Sequence, residues 1–523
     1  MTRSRWVPLA AVAVVVGLAG VVLAIRVWQA SSGAYVTYIA GIWLALASDL
    51  TSGLFYRDLI SPTGYGGTRY FPLFFLIIGG FMRLGLPPLA AGVLAATVSG
   101  VAVSAGLARI ARALGLPTRL AWLAGAAALS PYLVQQNLFE IRADALAAGL
   151  NLLGVAAAIR FWHHPAPRRT SGFAAATWFA LAIATKVTSV AIPASLVAAF
   201  VLSRRPRAAI QLAVLVLGAS TLLAVIVVAA SHGRALESWQ ATMLANADGG
   251  GLVRSILSGS FVQAVRYSHL LNGLFWLSLA ALGAAAFCAR SGRTAEPRAT
   301  PSTGGTPPTL WVPLLMFLGS TASTIVTLSS PGTVSANHTV EWVLVSLSVL
   351  LWTSGACRRL SFAVSTVLAG VVLTMTLQNA ARILELPTAT RDDWKARQRV
   401  VNVIQESTAP VLAESPLWPV LAGRRPFVLD PFSLRLLCES RPDVAKDLAD
   451  KLDAHYFRAV VLELDPRSAR SRGFYQHVHF GEFVFGKILA NYRLQERLSD
   501  DAWLLVPANV REVPDAGAPA GAR

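Results

Sequence analysis

The chain has 523 residues, of which 54% are hydrophobic and only 14% charged, and its mean hydropathy is +0.55. A soluble protein of this size carries about 25% charged residues, so an ordinary soluble enzyme is excluded. The formal charge of +18 sits in short clusters between apolar runs and not on one face or in a tail, which argues against nucleic acid and for the positive-inside pattern of a membrane protein.

In chain order, Arg3 and Arg5 precede an apolar run from Val7 to Ile25. It has no small-x-small cleavage site followed by soluble chain, so it reads as an uncleaved first span with its N-terminus inside. A long external segment follows, within residues 27–87: an amphipathic helix from Tyr35 to Leu50, a loop with a Gly-rich turn (Gly64, Gly66, Gly67), and the apolar run Phe71–Leu84. That run has 14 residues where a span needs about 20, so it reads as an interfacial or re-entrant helix. Further spans are expected over 88–108, 120–137, 143–160, 172–185, 187–203, 208–230, 267–289, 310–329, 338–355 and 361–380, about eleven in all. With this parity the Arg clusters, from Arg109 and Arg112 through Arg204 and Arg205 to Arg358 and Arg359, fall inside. Asp49, Asp58, Glu140, Asp144, Glu237 and Asp248 fall outside.

The stretch Ala174–Leu202 is interrupted at Thr185 and Lys186. Read as two spans, each has about 15 residues, or ~22 Å at 1.5 Å per residue, short of the ~30 Å hydrocarbon core. Their outer turn then lies below the membrane surface, which predicts an outward-open recess with Lys186 at its floor. The loop His232–Arg266, with Trp239, Asp248 and the run Gly249–Gly251, reads as a mobile substrate loop, and Thr294–Thr309 as a flexible cytoplasmic loop.

From about residue 384 the composition turns charged and mixed. Helix-like stretches (Asp392–Glu406, Asp443–Leu452, Phe480–Ala490) alternate with β-rich runs (Val411–Ala413, Phe427–Leu429, Ala459–Leu464, Trp503–Val506). This predicts a C-terminal extracytoplasmic α/β domain over 384–510 behind a membrane domain over 1–383, with a disordered tail over 511–523. The three cysteines, Cys288, Cys357 and Cys438, give neither a disulfide framework nor zinc spacing.

Charged groups near a bilayer are costly and often functional. The candidates cluster at outward ends: Asp49, Arg57, Asp58 and Arg69 with Tyr56 and Tyr70 in the first loop, Glu140, Arg142 and Asp144 between two spans, Lys186 in the recess, and Asn337, His338 and Glu341 opening the tenth span. Carboxylates can serve as a general base or metal ligand, and Arg and Lys can clamp a phosphate. The set suits a reaction in which a phosphate-linked donor in the membrane loses its group to an acceptor outside. No metal-ligand spacing or Ser-His-Asp arrangement is apparent, so no cofactor is indicated and a divalent metal stays open. Competing explanations are local: Asp58 as an ion pair with Arg57, Asp144 as a helix N-terminal charge, the tyrosines as an interfacial belt.

Four stretches carry a resemblance to a known family: Tyr56-Arg57-Asp58 with Tyr70-Phe71-Pro72-Leu73 ending at Gly85; Arg142-Ala143-Asp144-Ala145-Leu146-Ala147; Ala184-Thr185-Lys186; and Ala336-Asn337-His338 through Glu341. In order and topology the chain resembles the GT-C superfamily of membrane glycosyltransferases. It is most similar to family 39-like enzymes, which include protein O-mannosyltransferases and the lipid A aminoarabinose transferase. Leu421-Ala422-Gly423-Arg424 and Leu429-Asp430-Pro431-Phe432 also look like the soluble tails of such enzymes. The resemblance implies an inverting transfer from a polyprenyl-phosphate-linked sugar to an envelope acceptor, at the outer face of the cell (inner or plasma) membrane. The family's base is an aspartate just after the first span. This chain has Ser31-Ser32-Gly33-Ala34-Tyr35 there, so Asp49 or Asp58 takes the role, or the enzyme is altered or inactive. By residue type and position, the donor phosphate is expected at Lys186, Arg57, Arg69 and Arg142, and substrate contacts at Tyr56, Tyr70, Glu140, Asp144, Asn337, His338 and Glu341. The expected partners are membrane lipids and the lipid-linked donor, with no nucleic acid; oligomeric state, sugar and acceptor are not legible. A transporter or lipid flippase, and a non-catalytic receptor or assembly protein, remain as alternative readings.

Overall fold

A computed structural model of the chain describes residues 6–31, 36–163, 169–247, 269–290, 310–328, 336–356, 361–385 and 391–508. Asp248, Gly249–Gly251, the loop Thr294–Thr309 and the tail over 511–523 lie outside them. The chain divides into two compact units. Unit 1 comprises residues 1–55, 70–236 and 246–389, and unit 2 comprises 56–69, 237–245 and 390–523.

Unit 1 is helical: α1 (Trp6–Ser31), α2 (Tyr38–Thr51), α3 (Pro72–Arg83), α4 (Pro88–Ala113), α5 (Thr118–Leu129), α6 (Tyr132–Phe139), α7 (Asp144–His163), α8 (Arg169–Ile183), α9 (Ala191–Leu202) and α10 (Pro206–Ala230). After α11 (Arg234–Ala247), which both units share, come α12 (His269–Arg290), α13 (Trp311–Leu328), α14 (Val340–Ala356) and α15 (Ser361–Glu385). Among the described residues, α4, α7, α10, α13 and α15 carry stretches long and apolar enough to cross a membrane, and six shorter apolar helices accompany them. The chain is a multi-pass membrane protein.

Helix α7 is the centre of unit 1. Of its spanning stretch 94% is buried, against 11% for α10, so the apolar surface of α10 lies largely uncovered by the described residues. Small residues allow the close packing of α4 on α7. A Cβ on Gly149 would lie 2.7 Å from the Val103 backbone nitrogen, and one on Gly106 would lie 2.6 Å from the Leu152 Cβ. In a bilayer, where hydrophobic exclusion does not drive helices together, such close backbone approach supplies the packing.

Two elements differ from expectation. Helix α2 is not amphipathic but buried on every face from Ala40 to Ala47, because it packs against α3 and α4; a helix apolar all round belongs in an interior. The span expected over 120–137 is broken into α5 and α6 at Ser130–Pro131, since proline has no N–H to continue the ladder. The carbonyls freed there are met by side chains: Ser130 Oγ donates to Ala126 (2.8 Å), Gln135 Nε2 to Leu129 (3.0 Å), and Asn379 Nδ2 to Ser130 (2.8 Å). That is how non-helical backbone is tolerated at membrane depth.

Unit 2 has a mixed four-stranded sheet of order β3-β4-β6-β5, with β3 (Val411–Ala413) parallel to β4 (Ala459–Leu462) and β5 (Tyr492–Ser499) and β6 (Ala502–Pro507) forming an antiparallel hairpin. The crossover from β3 to β4 carries helices Leu417–Leu421, Pro431–Ser440 and Pro442–Asp453. Asp430 caps the second of these, accepting from Phe432 N (3.0 Å) and Ser433 N (3.2 Å). The first loop contributes a hairpin, β1 (Ile60–Ser61) with β2 (Gly64–Tyr65). Tyr65 N donates to Phe427 O (2.7 Å), Leu429 N donates to Tyr65 O (3.1 Å), and the Tyr65 hydroxyl donates to Asp447 (2.6 Å). Gly64 has φ +135, and a Cβ there would collide with Phe427 O at 2.1 Å, so only glycine fits.

Glu414, which follows β3, and Glu463, which follows β4, share a buried polar cluster. Glu414 Oε2 accepts from Glu463 N (2.7 Å), and Glu414 Oε1 pairs with His479 Nδ1 (2.7 Å). Removal from water, reinforced by the Glu414 charge, pushes the Glu463 carboxyl well above the usual carboxylate range. The folded state therefore binds a proton that the unfolded chain releases near pH ~4.3. Stability falls as pH rises from there through the raised folded value. Replacing Glu463 by Gln is expected to flatten that slope and to raise the melting temperature of unit 2 at pH 8 more than at pH 5. Equal shifts at both pH values would refute the assignment.

Candidate functional site

The turn between α8 and α9 holds Lys186 in extended backbone (φ −155, ψ 118), followed by a 3₁₀ turn Val187–Val190. At 15 and 12 residues, the flanking helices are about 22 and 18 Å long, shorter than the hydrocarbon core. Lys186 Nζ donates to Asp144 Oδ1 at 2.5 Å and lies 3.2 Å from His338 Nδ1. Asp144 opens α7, where a carboxylate suits the helix N-terminus, and its Oδ2 accepts from Asn337 Nδ2 at 3.1 Å. Asn337 and His338 come from a 3₁₀ turn, Ala336–Thr339, that leads into α14. Asn337 Oδ1 is buried and has no hydrogen-bond partner among the described residues.

One turn further, Glu341 accepts a hydrogen bond from Asn151 Nδ2, which also donates to the Ser189 carbonyl at 2.9 Å. Asn151 thereby ties α7 to both the Lys186 turn and α14. The sequence reading missed it. Its signal was a lone amide two turns after Asp144 on the same helical face of an otherwise apolar span. The head of α3 is also tied here: Leu73 N donates to the Ala184 carbonyl at 3.2 Å. Three of the singled-out stretches, at Asp144, Lys186 and Asn337–Glu341, thus meet through side chains, and Phe71-Pro72-Leu73 joins them through the backbone.

The other candidates lie in smaller groups. Glu140 pairs with Arg142 Nε at 2.5 Å and accepts from Gln136 Nε2 at 2.6 Å. Between them Ile141 is buried with φ +51, a costly conformation for a β-branched residue. Tyr70 packs on Trp43 with ring centroids 4.4 Å apart. Asp49 is 3% exposed near the end of α2.

Tyr56, Arg57, Asp58 and Arg69 belong to unit 2. Tyr56 is buried edge-on to Trp239, and burial raises its hydroxyl pKa. Arg57 donates to the Pro426 carbonyl at 2.6 Å, Arg69 stacks 4.1 Å from the Phe432 ring centre, and Asp58 is exposed. Tyr56, Arg57 and Arg69 thus have structural partners within unit 2. The two candidate bases, Asp49 and Asp58, fall in different units.

In unit 1 the arrangement is an ammonium group held by a carboxylate and an imidazole in apolar surroundings. Such a cation can meet an anion's charge, while the carboxylate, with both oxygens engaged, is suited to orient it.

No protein-family model and no curated protein matches the sequence. In structure, the chain is similar to ArnT from Cupriavidus metallidurans bound to undecaprenyl phosphate, with 15% identity over 96% of this chain and 98% of ArnT and a TM-score of 0.58. It is also similar to an Archaeoglobus fulgidus oligosaccharyltransferase in complex with Zn and sulfate (12% identity, 90% of this chain and 71% of that one, TM-score 0.55). A third similarity is to the oligosaccharyltransferase AglB of the same organism in complex with an inhibitory peptide and a dolichol-phosphate (12%, 91% and 72%, TM-score 0.52). The chain shares its fold with these proteins.

Proposed function

We propose that the chain is an integral-membrane glycosyltransferase. It moves a hexosyl or pentosyl group from a polyprenyl-phosphate-linked donor to an envelope lipid, glycan or protein at the outer face of the membrane. The observation that carries the reading is the placement of Lys186, held between Asp144 and His338 at a turn of two short apolar helices. Kinship of fold with proteins bound to undecaprenyl phosphate and dolichol-phosphate supports it. The topology that goes with it has eleven spans, the N-terminus inside and the C-terminal domain outside.

In this reading Lys186 binds the donor phosphate. A carboxylate, Asp49 or Asp58, takes the proton from the acceptor hydroxyl as that oxygen bonds to the anomeric carbon from the face opposite the phosphate. The bond from that carbon to the phosphate oxygen breaks. The electron pair leaves with the lipid phosphate, whose added charge Lys186 meets, and the transfer inverts the anomeric centre.

The test uses purified protein in lipid nanodiscs with a radiolabelled polyprenyl-phosphate sugar. Asp49→Asn or Asp58→Asn is expected to lower transfer by about 10²–10⁴, the contribution of a general base, without loss of folded protein. Full activity in both variants would remove these residues from the mechanism.

A further inference from the structure

Unit 2 contains a cavity of about 390 Å³ that the proposed reaction does not use. It is bounded by the chain leaving helix Arg391–Glu406, the start of β3, the turn at Gly423 and the hairpin tip at Pro62–Thr63. Its size is within the range of small-molecule sites, about 300–1,000 Å³.

Two left-handed residues shape its walls. Gly423 (φ +69) closes the helix Leu417–Leu421, and Arg424 N donates back to Pro419 O at 2.8 Å, turning Arg424 and Arg425 into the cavity lining. His455 (φ +51) closes the helix Pro442–Asp453, and Tyr456 N donates to Lys451 O at 2.9 Å. His455 is not glycine, so this turn is held at a conformational cost, and the residue it aims is Tyr456.

The chemistry of the lining is one-sided. Its charged side chains are Arg424 and Arg425, and no carboxylate lines it among the described residues. Arg424 Nη2 donates to the carbonyls of Gln405 (3.1 Å) and Ser407 (3.4 Å), which fixes the arm. Of an arginine's five N–H donors, those on Nε and Nη1 make no hydrogen bond among the described residues and are left for a ligand. The Tyr456 ring is 40% exposed beside buried Phe427, with ring centroids 5.8 Å apart. Thr63 and Thr408 add neutral hydroxyls. Guanidinium groups select a phosphate or carboxylate. An exposed aromatic face offers a platform for a ring with an apolar side, and hydroxyls suit a polyol. A bare anion makes no use of Tyr456, and a neutral sugar makes little use of two arginines.

From this combination we infer that the cavity binds an anionic saccharide, a sugar bearing a phosphate or a carboxylate. The inference is independent of the transferase reading, because binding is measured without donor. A chain that binds but does not transfer leaves it standing, and one that transfers but does not bind overturns it alone.

The experiment is calorimetric titration of the full chain in lipid nanodiscs with glucose 6-phosphate, glucuronate, glucose and inorganic phosphate. The two anionic sugars are expected to bind at least about tenfold more tightly than glucose or inorganic phosphate. Arg425→Gln is expected to weaken them about tenfold or more. Tyr456→Ala should weaken the sugars and leave inorganic phosphate unchanged. Because Arg424 also holds backbone, Arg425→Gln and Tyr456→Phe are the pair that keeps the fold, with Tyr456→Phe retaining binding. The inference is overturned by no binding at millimolar concentrations, by glucose binding as tightly as glucose 6-phosphate with Arg425→Gln neutral, or by inorganic phosphate binding as tightly with Tyr456→Ala neutral.

Discussion

Replacing Lys186 by Met is expected to lower sugar transfer by about 10²–10³, the usual cost of removing one preorganised group that stabilises developing charge. The same change also strands Asp144, which loses the cation on its Oδ1 and keeps only Asn337 on its Oδ2. A buried carboxylate left without its partner destabilises by about 3–5 kcal/mol, and by less here because the pair is partly exposed, at 23% and 13% of the two side chains. A lower melting temperature in Lys186→Met would therefore confuse a loss of chemistry with a loss of fold. The double variant Asp144→Asn/Lys186→Met separates them. It should recover most of the thermal stability, since position 144 no longer carries a lone charge, and none of the transfer. If the double variant transferred sugar at the wild-type rate, Lys186 would have no part in the reaction. Lys186→Arg keeps the charge but replaces a compact ammonium by a planar fork, and should restore stability more fully than rate.

Gly149→Leu should abolish the folded protein. The Cβ position there lies 2.7 Å from Val103 N and 2.9 Å from Ala102 C, backbone atoms of α4 that have no rotamer to change. Helices α4 and α7 must move apart to accept any side chain, and α7 is the most buried span of unit 1. Overpacking a tight core costs about 1–3 kcal/mol even where side chains can shift. Gly149→Ala is expected in that range, with Leu beyond it. Fluorescence-detected size exclusion of tagged protein reads the outcome. Gly370→Leu is the control, because nothing lies within 4 Å of its Cβ position. A monodisperse Gly149→Leu protein with wild-type melting would contradict the packing described.

Some of this architecture is legible in the residues and some is not, for physical reasons. Asp144, Lys186 and His338 stand out because an ionisable side chain among apolar ones is expensive and is kept only where partners meet it. The sequence does not say which partners. That Asn337 binds Asp144, and that Asn151 bridges to Glu341, depends on how α7, α9 and α14 pack. The short α8 and α9 are legible from the interruption at Thr185-Lys186. The break at Ser130–Pro131 was also written there, in the proline, but the apolar run over 120–137 hid it. Helix Pro431–Ser440 carried a readable start in Asp430-Pro431, a cap residue followed by proline. Strand β5 did not announce itself: Tyr492–Ser499 is mostly polar and charged, and among the described residues it pairs with β6 alone. The same holds for Tyr56 and Arg57: the residues alone do not show that Trp239 and Pro426 meet them inside unit 2.

The construction of unit 2 from three separated stretches of chain bears on the order of biosynthesis. Tyr65 meets Asp447 across 382 positions, and Arg57 meets Pro426 across 369. A ribosome moving at about 5–20 residues per second delivers the hairpin at residues 60–65 well before the strand region it docks on. During that interval β1 and β2 have only each other, and an isolated two-stranded hairpin is marginal. The first loop must therefore be held unfinished while the helices of unit 1 are inserted, and it becomes structured only when the chain from about residue 390 arrives. A fragment beginning there would present Phe427 and Val428 without the hairpin that covers them, so the unit cannot be cut out at its last linker and expected to fold alone.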